Sequence, residues 1–212
     1  MRFLLRQSTV RDQLALYVFV FVLFVVGIVF GVLLVSALTL DQQQNLAGDI
    51  YQFVQRLLAG NDTEYMFSER FFFHFKWMML IWLLGLTVVG MPLVLALDFL
   101  KGVLVGFAVG TIVYQYEWKG LLFSLVSVAP PNLLVVPMVL ITSAAAISFS
   151  LYVIRNRLLG RMGSLRPPFV TYVSTAAVML IVVLAAAAVE MYLSPFLLKW
   201  AAPLLVAEGS GL

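Results

Sequence analysis

Two residues of this chain could handle charge within a membrane segment, Asp98 and Lys101, and they lie three positions apart in an apolar stretch. On a helix such residues are neighbours, so the carboxylate and the ammonium can neutralise each other. Deep in a bilayer, ionisable groups are costly and typical of ion or proton pathways. At the end of a membrane segment they cost little. We predict the second arrangement, in which Asp98 and Lys101 form a charged turn at the cytoplasmic face.

Catalytic chemistry has few residues available. His74 is the only histidine and stands among phenylalanines, where we expect an interfacial hydrogen bond, while Glu190 is expected to be solvated. No serine, aspartate or second histidine near His74 suggests a triad or a metal site. The chain has no cysteine, so disulfides and thiolate chemistry are excluded. We therefore predict a protein that is not an enzyme, with no catalytic residue, metal, cofactor or nucleic-acid partner.

Glycines at helical spacing predict close helix packing. Gly102, Gly106 and Gly110 lie four residues apart, and Gly27 and Gly31 repeat this spacing near the start of the chain. Glycines on one face let another backbone approach closely. The partner helix can belong to the same chain or to a second copy. We favour a helix-packing seam over a substrate pathway, and a homodimer sealed by these helices.

A proline-rich block interrupts a later apolar stretch. Pro130, Pro131 and Pro137 remove backbone donors, and Asn132 lies among them. Discontinuous helices of this kind form substrate sites in some transporters. No internal repeat accompanies the block, so a structural break or a re-entrant half-helix is the favoured interpretation.

The composition of the chain indicates the kind of secondary-structure elements that position these residues. Hydrophobic residues make up 63% of the chain and charged residues 11%, too apolar a balance for a soluble domain. The fold class predicted is an all-α integral membrane protein, a single membrane domain over residues 1–212. About five transmembrane helices are expected, the fourth broken by proline, at residues 14–38, 75–97, 99–116, 119–154 and 171–192.

Orientation follows from lysine and arginine, which cytoplasmic loops retain. Their distribution places the N-terminus in the cytoplasm and the C-terminus outside a bacterial cell membrane. The basic run "RNRLLGRMGSLR" could also hold anionic lipid headgroups, but a topology anchor is the simpler interpretation. Residues 1–13 and 155–170 are then cytoplasmic, and residues 39–74 and 193–212 extracytoplasmic.

The first outer loop contains one amphipathic helix, predicted at about residues 42–59. Its apolar residues recur at helical spacing and share one face. This face can lie on the membrane, pack on the transmembrane helices or dock another protein. The candidate docking residues are Leu46, Ile50, Phe53, Val54, Leu57 and Leu58.

Six blocks of the chain, in order and at matching spacing, resemble the bacterial stage II sporulation protein M family. They are "YVFVFVLFVVGIVFG", "ALTLDQQQNL", "FFFHFKWMMLIWLLG", "VGMPLVLALDFLKGVLVGFAVG", "SVAPPNLLVVP" and "EMYLSPFLLK". The resemblance runs through nearly the whole chain, and the order of the blocks is more specific than any one of them.

The resemblance implies a role in engulfment, when the mother-cell membrane migrates around the forespore. The family member of endospore formers is a membrane scaffold that recruits two peptidoglycan-degrading partners, stage II sporulation proteins P and D. These partners cut the wall and the scaffold does no chemistry. The alternative function from the residues themselves is a membrane subunit of a transporter or channel, using the proline block together with Asp98 and Lys101.

Overall fold

The computed structural model of the chain describes residues 2–59, 63–158 and 164–206. These residues form helices throughout, joined by short turns. The elements are α1 (Arg2–Ser36), α2 (Leu40–Ala59), α3 (Thr63–Gly85), α4 (Gly90–Ser127), α5 (Ala129–Val153), a π-helical turn (Ile154–Leu158) and α6 (Arg166–Val206).

The all-helical membrane fold predicted from composition is confirmed. Among the described residues, four helical segments are long and apolar enough to cross a bilayer: Gln13–Ser36, Gly90–Ser127, Ala129–Asn156 and Arg166–Leu193. The predicted count of five is not confirmed. Helix α3 begins at Thr63, so the predicted outer loop at 39–74 is shorter than expected. Helix α6 continues through the predicted tail to Val206.

The turn between α3 and α4 lies at residues 86–89, and the predicted boundary at 97–99 is wrong. The hydroxyl of Thr87 donates to the carbonyl of Leu84 and accepts from the amide of Gly90, at 2.9 and 3.0 Å. Ser150 of α5 donates to the carbonyls of Gly85 and Thr87, at 2.8 and 3.2 Å. Polar groups freed at helix ends need such partners inside a membrane protein, so a turn without charged residues is stable here.

Asp98 and Lys101 therefore do not form a charged turn. Both lie inside α4, about two and three turns beyond its start, and both are buried. At a rise of about 1.5 Å per residue, Lys101 is about 16 Å along the helix from Gly90. This places the two charges deep in the bundle, where ionisable groups call for a specific explanation.

Helix α4 contains a reversal at Glu117, which has φ 47° and ψ −125° and divides the element into two helices. A Cβ atom at Gly120 would overlap the carbonyl of Ile112, eight residues earlier. In a straight helix these residues would be about 12 Å apart. The segment after Glu117 thus folds back beside the segment before it.

The proline block begins α5 and does not divide it. Pro130 and Pro131 occupy the first turn, where a missing N–H leaves no hydrogen bond unmade. The side-chain amide of Asn132 donates to the carbonyl of Val128 at 2.8 Å. Pro137 lies inside α5, which continues to Val153, so the prediction of a helix break at Pro137 is wrong.

The glycine seam joins α1 to α4 of the same chain. Cβ atoms at Gly27 and Gly31 would overlap carbonyls of α4, and Cβ atoms at Gly102 and Gly106 would overlap carbonyls of α1. The two backbones can be this close only because both faces lack side chains. The glycines are thus occupied within the chain and give no support to the predicted homodimer.

Helix α2 packs on the ends of α4 and α6. Thr39 and Gln42 begin it with reciprocal hydrogen bonds of 3.1 and 3.4 Å, a capping box. Ile50 contacts a small cluster built on Phe123 and Ala201. We call α2, with residues 118–127 and the end of α6, the outer platform, after the predicted place of α2 in the first outer loop. Leu46 is half-buried, and the side chains of Phe53, Val54, Leu57 and Leu58 lie outside the described residues.

Candidate functional site: a buried ionic network

Charged and polar side chains from four helices meet inside the bundle. Helix α4 provides Asp98 and Lys101, and α5 provides Ser143, all three with buried side chains. His74 of α3 and Glu190 of α6 are also buried. We call these five residues, with Arg70 of α3, the ionic network.

Asp98 is the most deeply placed carboxylate, with no exposed surface. Ser143, equally inaccessible, donates its hydroxyl to Asp98 Oδ1 over 2.6 Å. The second oxygen, Oδ2, is buried and has no hydrogen-bond partner among the described residues. Buried polar atoms are normally paired, so this oxygen is a position where a proton or another donor could bind.

Lys101 lies between two aromatic rings of α3. Its ammonium is 5.3 Å from the ring centroid of Phe73 and 5.6 Å from that of Trp77. Cations at this distance from an aromatic face are attracted to it, more strongly when desolvated. In the described part of the chain no ion pair within 4 Å joins Lys101 to Asp98. The neutralising contact predicted from their spacing is therefore not made directly.

Glu190 connects the network to α3 and α6. Its Oε1 lies 2.9 Å from Nε2 of His74, and its Oε2 lies 3.9 Å from Nε of Arg70. Its negative charge also attracts the ammonium of Lys101. His74 and Arg70 thus contact one buried carboxylate, whose Oε2 accepts no hydrogen bond from the described residues. Buried charges are tolerated when opposite charges compensate them in this way.

The network can hold four helices in one register and can exchange protons. Each ionisable member contacts a side chain on another helix, so the helices must stay aligned to keep these contacts. Asp98 Oδ2 and His74 Nδ1 are both buried and unpaired in the described residues. Carboxylate and imidazole chains are the groups that proton relays use.

Sequence reasoning missed this site in two ways. Glu190 was expected to be solvated, yet it is only 8% exposed, and the hydrogen bond expected of His74 is made inside the protein, to Glu190. The two residues are 116 positions apart, and no local pattern pairs them. The available signal was on α3, where Arg70 and His74 are spaced by four and share a helix face.

These long apolar helices and the ionic network they enclose define an integral membrane protein of the all-helical class. Residues 20–195 match the family model described as stage II sporulation protein M. The chain therefore belongs to the stage II sporulation protein M family, which confirms the resemblance of its sequence blocks. No match is found among curated proteins or solved structures.

Proposed function

We propose that the protein is a non-enzymatic membrane scaffold that recruits peptidoglycan-degrading enzymes to the septal and engulfing membrane during endospore formation. The observation that carries this proposal is the family match over residues 20–195. The partners are the stage II sporulation proteins P and D that the resemblance implies, and they cut the wall.

The orientation that this function needs is the one that the basic residues favour. The chain lies in a bacterial cell membrane with its N-terminus in the cytoplasm and its C-terminus outside. The outer platform then faces the wall, where the partners act. Cytoplasmic retention of lysine and arginine supports this arrangement.

The outer platform offers a docking surface on the exposed side of α2. The helix is held on the bundle through Ile50, and Gln115 of α4 donates to the carbonyl of Gln43 over 3.1 Å. Leu40 and Tyr51 remain exposed on α2, Tyr51 by 53%. Exposed tyrosines on a rigid element are frequent anchors of protein interfaces. Leu40 and Tyr51 lie on one face of α2, about a quarter of a turn from Ile50, one of the predicted docking residues.

A Tyr51→Asp variant is expected to lose wall-hydrolase capture while the protein still inserts and folds. The substitution replaces an exposed aromatic anchor by a charge and touches none of the buried clusters. The measurement is affinity purification from native membranes in mild detergent, followed by mass spectrometry of what co-purifies.

Asn45→Asp is the matched control, because it adds the same charge at an exposed position elsewhere on α2. It is expected to capture the hydrolases as the unchanged protein does. Equal capture by Tyr51→Asp would remove this side of α2 from the docking surface. Absence of wall hydrolases from the unchanged protein's preparation would overturn the scaffold itself.

The ionic network favours a second candidate, a membrane subunit of a transporter or channel. Asp98 and Lys101 are buried in the interior of α4, and the former has an unpaired oxygen. Ionisable residues at such positions are a mark of ion and proton pathways. The scaffold remains the favoured function, because the family match supports it.

Under this second candidate, purified protein in liposomes is expected to admit protons when a potassium gradient with valinomycin sets an inward voltage. Asp98→Asn should reduce uptake to the rate of protein-free liposomes, because the amide cannot exchange a proton at this position. Asp49→Asn, at an exposed position of α2, is the control. Uptake by the unchanged protein no faster than by empty liposomes would exclude the proton pathway.

A further inference from the structure

A cavity of about 350 Å³ lies between α1, α5 and α6, at the helix ends predicted to be cytoplasmic. Helix α5 packs against both α1 and α6, whereas in the described residues α1 and α6 have no substantial packing with each other. The cavity is the space left between α1 and α6, and α5 forms its floor. Its volume is within the range of roughly 300–1,000 Å³ found for small-molecule sites.

The lining combines apolar walls with unused hydrogen-bond donors. Phe149 and Tyr172 stack on each other at 4.9 Å and form part of the wall. Gln13, Tyr17 and Ser148 also line the cavity, and their side chains make no hydrogen bond with the described chain. Tyr17 is 40% exposed and Ser148 is half-buried, so both hydroxyls are accessible to a ligand that carries acceptors.

The neighbouring charge selects an anionic ligand. Arg155 follows the lining residue Tyr152 by three positions, and Arg166 precedes the lining residue Pro168 by two. Both arginines are exposed, so their guanidinium groups are free to meet a phosphate at the rim. Basic positions between transmembrane helices on the cytoplasmic side are typical of sites for anionic lipid headgroups.

We propose that the cavity between α1, α5 and α6 binds one anionic glycerophospholipid of the inner leaflet. The phosphate lies at Arg155 and Arg166, and the glycerol ester oxygens accept hydrogen bonds from Tyr17 and Ser148. The apolar wall receives the first carbons of the acyl chains. This site is independent of the scaffold function, since it lies at the opposite end of the bundle from the outer platform.

The test uses the full-length protein in detergent, with dioleoylphosphatidylglycerol and dioleoylphosphatidylcholine as probes. Binding to the folded state alone raises the melting temperature as the ligand is added. Phosphatidylglycerol is expected to raise it and to appear as one bound lipid in native mass spectrometry, while phosphatidylcholine does neither. Arg155→Gln and Arg166→Gln should each weaken phosphatidylglycerol binding about fivefold.

Two further variants distinguish the contribution of local charge to lipid binding from that of the cavity itself. Lys76→Gln removes an exposed positive charge far along α3 and should leave binding unchanged. Ser148→Trp fills the cavity and should abolish lipid retention while the lipid-free protein still melts cooperatively.

Four results would overturn the proposal. The first is an equal response to the two lipids, and the second is retention of lipid by Ser148→Trp. The third is the same stabilisation by soluble glycerol phosphate, which would assign the site to a free phosphate compound. Crosslinking of a benzophenone amino acid at position 148 in cells to another protein, rather than to lipid, would also overturn it.

Discussion

A Gly106→Leu variant is expected to lose the packing between α1 and α4 and most of the protein's stability in detergent. A Cβ atom at Gly106 would overlap the carbonyl of Ile28, so a larger side chain must push two backbones apart. Backbone atoms cannot move aside as a flexible side chain can. The loss should therefore exceed the ~1–3 kcal/mol typical of overpacking in a core. The measurement is thermal unfolding in detergent followed by near-UV circular dichroism.

Gly48→Leu is the control for this experiment. Gly48 lies in α2, and no heavy atom would come within 4 Å of an added Cβ. Leucine also favours helix over glycine by about 0.8–1 kcal/mol, so this variant should be at least as stable as the unchanged protein. Equal melting of Gly106→Leu and Gly48→Leu would contradict the close α1–α4 contact.

A Glu190→Gln variant is expected to lose about 3–5 kcal/mol of unfolding free energy, the usual cost of removing one partner from a buried ion pair. His74, Arg70 and Lys101 would keep their positions without the carboxylate that compensates them. The free energy of unfolding in a detergent and denaturant series is the quantity to measure. Glu69→Gln, an exposed carboxylate on α3, should change it little.

The double variant Glu190→Gln with Lys101→Met decides whether the charges act together. If Glu190 compensates Lys101, removing both should cost less than the sum of the two single losses. Simple additivity of the single variants would show that the two residues stabilise the fold independently, against the network described above.

The sequence predicted the helices well and one turn poorly, for a physical reason. The residues between α3 and α4 carry no charge, so hydropathy continues through them. Asp98 and Lys101 looked like a turn because charge is cheapest at a membrane surface. The true turn depends on Ser150, which is more than sixty residues away in the chain and donates to Gly85 and Thr87. Local patterns contain no information about that donor.

The glycines show what spacing can and cannot predict. Gly102 and Gly106 lie on one face of α4 as their four-residue period indicates, and they do allow a close backbone approach. The identity of the helix that approaches depends on long-range packing. That helix is α1 of the same chain. The spacing of the glycines does not distinguish a partner helix in the same chain from one in a second copy.

The ionic network was the least predictable part of the candidate site. Its members come from four helices, and His74 and Glu190 each looked isolated in the sequence. Their contact exists only because α3 and α6 pack side by side. The free-energy cost of burying charge explains why they must be paired once they are inside, but it does not indicate which residues are inside.

The length of α6 has a mechanical consequence. The helix runs from Arg166 to Val206, a rise of about 60 Å, roughly twice the thickness of the hydrocarbon layer. It lines the cavity between α1, α5 and α6, carries Glu190 and ends at the outer platform. A piston movement by one helical turn, about 5.4 Å, would pull Glu190 away from His74. The Glu190–His74 contact therefore ties the axial position of α6, and of the platform at its end, to that of α3.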